Sequence, residues 1–228
     1  MPEAPGPNAP GTGGITARNL GRPEGATAEE TRKRLLQAAA ALFARNGLHG
    51  TTLGEIAGAA GLTAPAIYNH FSSKDDLFIA AACFMFEEIA AATEETVDVP
   101  GGWLARVAAV LDMIHELYRE DMVLQRLGMS ALLECARDPD RFGAVRAARE
   151  KIDAPFRRIV EDAVAAGELP ASTDIRVSGA ILASLVMSGI ANYTLLHPSL
   201  ADFAGAVDAF RTLVVDGQRK PLRLVGER

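Results

Sequence analysis

The sequence predicts an all-α protein, a small three-helix unit at the N-terminal side followed by a larger helical body. Two observations predict it. Apolar residues recur at three- and four-residue spacing through almost every segment after residue 27. Residues 51–71, TTLGEIAGAAGLTAPAIYNHF, read as two short helices held at an angle by a glycine turn.

The small unit starts at Thr27, which can cap a helix running to about Asn46, with Glu29 and Glu30 in the first turn where the macrodipole favours them. Leu35, Leu36, Ala39, Leu42 and Phe43 form its apolar stripe, and Asn46-Gly47 ends it. Thr51 or Thr52 can cap the second helix, with Glu55 at capping-box spacing from Thr52. Leu53, Ile56, Ala57 and Ala60 share one face of it, and Gly61 lies where the chain must reverse. Thr63 can cap a third helix with Pro65 in its first turn. Ile67 and Phe71 point inward from that helix, while Ala64, Ala66, Tyr68, Asn69 and His70 stay on or near its outer side. Ser73 can cap a fourth helix beginning at Lys74 and running into AACFMFEEIAAA.

In the body, residues 103–118 carry apolar groups at helical spacing, and a next helix through Val123, Leu127, Leu132 and Leu133 ends near Pro139. A long helix spans about 140–166, kinked or divided by Pro155 and stopped by Gly167-Glu168-Leu169-Pro170. Residues 173–196 are markedly apolar with small residues interspersed, and a last helix covers about 201–216. Those two helices carry more apolar surface than a monomer readily hides, unless they close on each other as one internal hairpin.

A short helix presented on a compact head by a glycine turn is how a protein enters the major groove of DNA. The same outline also fits an ordinary αα-hairpin, and Tyr68 also fits an aromatic that closes the small core. The run TRKRLLQAAAALFARNGLHGTTLGEIAGAAGLTAPAIYNHFSSKDDLF decides between the two readings of the hairpin and leaves both open for Tyr68. Its F-x-x-x-G, T-T-x-x-x-I-A, A-G-L and Y-x-H-F-x-x-K-x-x-L elements resemble the DNA-binding domain of the tetracycline-repressor (TetR) family over about residues 27–80. The resemblance implies a helix-turn-helix DNA-binding domain at 27–73 and an effector-binding and dimerisation domain at 74–228, with 1–26 as a tail. It assigns Thr52, Thr63, Tyr68, His70 and Lys74 to phosphate or groove-edge contacts, chemistry suited to hydroxyls, imidazole and ammonium. Ala64, Pro65, Ala66 and Asn69, with Tyr68 shared, fall at base-reading positions, where Asn can take adenine and small apolar groups can meet a thymine methyl. Leu53 and Gly54 supply no polar reader, so few base hydrogen bonds are expected from the second helix.

The resemblance further implies a ligand-responsive repressor that binds a two-fold operator as a homodimer through its last two helices. A small hydrophobic effector would sit among the middle helices and move the fourth. The candidates for its pocket are Phe84, Trp103, Met113, His115, Tyr118, Met122, Met129, Phe156, Met187, Asn192 and Tyr193, with Phe86 and Cys135 beside them; taken singly, each is read first as ordinary core. The competing function is a helical small-molecule-binding or interaction protein whose head is vestigial, which would not bind its own upstream DNA.

Net charge is −6, an unusual balance for a nucleic-acid binder. Residues 15–80 nevertheless hold seven Lys or Arg against six Asp or Glu, so the acidity lies in the body. An acidic body suppresses nonspecific phosphate binding and leaves affinity to positioned contacts. Residues 1–26, rich in Pro, Gly and Ala, are expected to be disordered, with Arg18 and Arg22 as either a minor-groove arm or part of a solvated tail. No signal peptide or membrane span is legible, which fits a cytoplasmic protein. There is no nucleophile elbow, phosphate loop or H-E-x-x-H, so no catalytic residue, cofactor or metal is expected. Cys83 and Cys135 lack zinc-site spacing and read as buried thiols, with a redox sensor as the alternative.

Overall fold

The computed structural model describes residues 27–118, 123–190, 193, 197 and 199–216, and among these the regular elements are all helical. Helix α1 (Ala28–Gly50) starts on a full capping box: Thr27 Oγ1 accepts from Glu30 N at 3.1 Å and Glu30 Oε2 accepts from Thr27 N at 2.6 Å. Gly47, with φ 71°, interrupts it one residue after Asn46, where the sequence places its end. Helices α2 (Leu53–Ala59) and α3 (Ala64–Ile67) follow, joined through Gly61 at φ 69°. Helix α4 (Lys74–Thr96) begins on Ser73, whose Oγ accepts from Asp76 N at 3.0 Å.

The body continues with α5 (Trp103–Tyr118) and α6 (Val123–Arg137). The expected long helix is two, α7 (Gly143–Glu150) and α8 (Asp153–Ala165). The break falls at Lys151-Ile152 for a local reason: Pro155 has no N–H, and its ring would clash with the carbonyl of Lys151 four residues back. Helix α9 (Ile175–Ser184) is capped by Asp174, whose Oδ1 accepts from Val177 N at 3.0 Å, and it runs on as wider π-helical turns over Leu185–Gly189. Helix α10 (Leu200–Phe210) is capped by Ser199 and widens the same way over Arg211–Asp216. No described helix is long and apolar enough to cross a membrane. The tail with Arg18 and Arg22, and the pocket candidates Met122 and Asn192, lie outside the described residues.

One continuous apolar core runs from the head into the body. Helix α1 packs against both α4 and α6, and α4 packs in turn against α5, α6, α7 and α8. At the junction Phe78 of α4 is fully buried, its ring set edge-on to Phe43 of α1 at 5.0 Å and to Phe142, just before α7, at 6.1 Å. A three-helix head of this size has a marginal core of its own. Sharing α4 and α6 with the body completes it.

Candidate DNA-reading head and effector cavity

The two threonines opening α2 divide the work that the sequence left between them. Thr51 is buried, and its hydroxyl bonds to the carbonyls of Gly47 at 2.9 Å and Leu42 at 3.2 Å, tying α2 to the end of α1. Thr52 is the cap: its Oγ1 accepts from Glu55 N at 3.2 Å and donates to Glu55 Oε2 at 2.7 Å, while that carboxylate accepts from Thr52 N at 2.8 Å. The bonds from Thr52 hold the Glu55 carboxyl below its ordinary pKa. That help to folding is therefore present at neutral pH and is lost as the pH falls through the lowered pKa. Thr52→Ala is expected to cost about 1 kcal/mol, and Thr52→Ser almost nothing, in a denaturant titration.

The recognition segment is compact. Helix α3 is a single turn, prolonged by bonds from Asn69 N to Ala66 O at 3.3 Å and from His70 N to Ile67 O at 2.8 Å. Thr63 occupies the N-cap position, but its side chain makes no capping bond, contrary to the expectation; its hydroxyl stays unspent at the front of the turn. Ile67 and Phe71 are buried, as the spacing predicts, and Arg32 of α1 lies over the Phe71 ring at 5.4 Å. Tyr68 is 61% exposed, which removes the core-aromatic reading. Pro65 and Asn69 are exposed beside it, His70 is half-exposed, and Ala64 and Ala66 are partly covered by the core. Lys74 has a partner within the head: its Nζ donates to the Thr51 carbonyl at 3.0 Å, which fixes the ammonium beside the start of α2. Two of its three N–H groups remain for another acceptor.

The expected pocket residues do not converge as a set. Phe86, Tyr118, Met129 and Met187 do come together, around a small, partly open cavity of about 50 Å³ between α4, α5, α6, α7 and the extension of α9. Phe84 lies instead in a groove between α1 and α4, with Lys33, Gln37, Glu88 and Leu117. Trp103 lines a groove against α8 and α9, and Tyr193 lies in another beside α10, stacked on His197 at 4.4 Å. His115 and Tyr118 both pack on the Phe203 ring, at 6.3 and 5.7 Å, Met113 is partly buried against the core, and Phe156 is fully buried core.

The cavity also has polar groups that residue type alone does not single out. Gln125 and Arg149 line it with Ser188, and Arg149 Nη1 bonds Asp153 Oδ1 at 2.9 Å. Their signal is periodicity: Gln125 shares a face with Gly128, Met129 and Leu132, and Arg149 shares one with Val145, Ala148 and Ile152. Burial pushes the Tyr118 phenol up to about 12, so it stays a hydrogen-bond donor at any physiological pH.

Cys83 is half-buried and Cys135 buried, both as free thiols. Burial, with the nearby Glu87 carboxylate, raises the Cys83 pKa, the opposite of what a redox-sensing thiol needs. No metal-ligating cluster occurs among the described residues.

A family model described as bacterial regulatory proteins, tetR family, matches residues 35–81. The HTH-type transcriptional regulator SrpR of Pseudomonas putida is 28% identical over 173 residues, covering 73% of this chain and 76% of that one. The HTH-type transcriptional regulator TtgW of the same species is 30% identical over 118 residues, 50% of this chain and 88% of its relative. Among solved structures, the regulator FadR of Bacillus subtilis, crystallised with stearoyl-CoA, superposes with a TM-score of 0.69 at 18% identity, covering 81% of this chain and 98% of that one; at that identity the likeness is one of fold. The head's sequence, its capped helix-turn-helix and the helical body thus agree, and the chain belongs to the tetR family of bacterial regulatory proteins, as a DNA-binding transcriptional regulator.

Proposed function

We propose that the protein is a repressor that binds a two-fold operator as a homodimer and lets go when a small, largely apolar effector enters its body. The observation that carries the DNA reading is the exposed row Pro65, Tyr68 and Asn69 on a turn whose opposite side, Ile67 and Phe71, is buried. An exposed tyrosine beside an asparagine, backed by a lysine at a helix start, is a set of groups for phosphate and base edges. Thr52, Thr63, Tyr68, His70 and Lys74 are assigned to the backbone, and Ala64, Pro65, Ala66 and Asn69 to the groove floor.

Dimerisation is supported by an apolar stripe on α9 and its extension: Val177, Ile181 and Leu185 are 42, 55 and 53% exposed at four-residue spacing. A helix that shows such a stripe to water wants a partner, and a second copy of the same face supplies it with two-fold symmetry. Two heads then read two half-sites.

The effector reading is supported by the cavity. Its walls include Met85, Phe86 and Ile89 of α4, the helix that starts at Lys74 on the head. At about 50 Å³ it is far smaller than a typical ligand pocket of roughly 300 Å³ or more, so a larger ligand must push its surrounding helices apart, α4 and α6 among them. Both helices pack on α1.

The test is selection of bound sequences from a random DNA pool by the full chain, repeated with candidate metabolites. A two-fold consensus of fixed half-site spacing, lost with one class of metabolite, is the expected outcome. Only salt-sensitive, sequence-independent binding would instead favour a ligand-binding protein with a vestigial head. A Leu185→Glu change is expected to shift the protein to a monomer in sedimentation and to cut operator affinity by more than tenfold, since one head alone gives little specificity.

A further inference from the structure

The cavity has a chemical polarity of its own. Its apolar part sets three thioethers (Met85, Met129, Met187) and the Phe86 ring among Ile89, Leu132 and Ile152. Its polar part consists of Tyr118, Gln125, Arg149 and Ser188, each able to donate a hydrogen bond. No carboxylate occurs among the described residues of its wall, and the only formal charge there is the Arg149 guanidinium. That side chain is 13% exposed, and its ion pair with Asp153 uses one of five N–H donors, holding the planar group in place.

We propose that the effector is a planar apolar molecule bearing one anionic group, a carboxylate or its equivalent, and that Arg149 is the residue that recognises it. This rests on the reading of the cavity as the effector site. A desolvated guanidinium binds a carboxylate through charge-assisted bonds, and the Tyr118 and Ser188 hydroxyls line the same cavity. An ammonium in the same place would meet the guanidinium directly, since the Asp153 carboxylate that pairs with Arg149 is not part of the cavity lining. The thioethers then adapt to the ring, and the carboxylate fixes which end of the molecule lies deepest.

The experiment uses three probes with one apolar body: 2-naphthoate, 2-naphthalenemethanol and 2-naphthylmethylammonium. Binding to the full-length protein is measured by calorimetry, and release from the selected operator by fluorescence anisotropy. The naphthoate is expected to bind roughly tenfold or more tighter than the alcohol, and the ammonium weakest. Arg149→Gln should erase the advantage of the acid over the alcohol and leave the alcohol's own affinity within about twofold, while Arg149→Lys should restore part of it. Lys33→Gln, in the separate groove between α1 and α4, should change none of the three. Equal binding of acid and ammonium, or an Arg149→Gln protein that weakens all three alike, would overturn the assignment. Arg149-dependent binding of the acid that leaves the operator bound would keep the anion site and refute the effector reading. No saturable binding by any probe would count against both.

Discussion

Replacing Phe78 by alanine is expected to lower the stability of the whole chain by about 3–5 kcal/mol, the range for an aromatic deleted from a tight core. Phe78 is fully buried and stands edge-on to both Phe43 and Phe142, so its removal opens a cavity where head, α4 and body meet. For a chain of this size the melting temperature should fall by about 10 °C or more. Phe78→Leu refills most of the volume and should cost less than half as much. Because Phe43 belongs to the head, the alanine variant should also loosen operator binding at temperatures well below its melting point. A calorimetric scan with a parallel operator titration checks both. A loss under 1 kcal/mol would mean that head and body do not share a core.

The second expected result concerns the reading head directly. Lys74→Ala and Tyr68→Phe should each weaken operator binding while the dimer stays intact. Each dimer loses two contacts at about 1 kcal/mol apiece, so the affinity should drop roughly ten- to thirtyfold. The two variants differ in salt dependence. Losing Lys74 removes a cation from the interface and should flatten the slope of log affinity against log salt by about 1 for each lysine lost. Losing only the Tyr68 hydroxyl should leave the slope unchanged. Lys74→Ala also removes the bond to the Thr51 carbonyl, so a small fall in melting temperature is expected there and none in Tyr68→Phe, whose side chain is exposed. Unchanged affinity and slope in both would refute the assigned contacts.

The head was legible in the sequence because its signals are local. A cap is a threonine three residues from its glutamate, a reversal is a glycine, and an inward face is Ile67 with Phe71; each is decided within a turn or two of chain. Thr63 is the exception, since whether an N-cap side chain closes its bond depends on a rotamer that spacing does not set. The division near Pro155 was legible for the same local reason, though its position at Lys151 needed the ring's reach to the fourth residue back. The cavity was less legible because it is assembled from five helical elements. Picking Met and aromatic residues by type gathered Trp103, Phe156 and Tyr193, which packing sends to a surface groove, the core and the outside. Gln125 and Arg149 carry no such type signal, because a polar residue reads as solvated unless its helical face is apolar.

The Lys74–Thr51 bond and the Phe78 stack lie on the same helix as the cavity wall, and their order along it has a mechanical consequence. At 1.5 Å per residue, Lys74 is about 6 Å from Phe78 along the axis, whereas Met85 and Ile89 are about 10 and 16 Å beyond it. A helix tilting about Phe78 is therefore a lever with its short arm at the DNA. A shift of about 2 Å at Ile89 arrives at Lys74 as somewhat less than 1 Å, by the same geometry. Such an arrangement trades distance for force. The trade suits the task, because a hydrogen bond of about 3 Å is lost over a few tenths of an ångström and large travel gains nothing. On the proposed reading it also filters: thermal motion of the methionine-lined wall would reach the operator attenuated, and only a molecule large enough to hold the wall open would move the head.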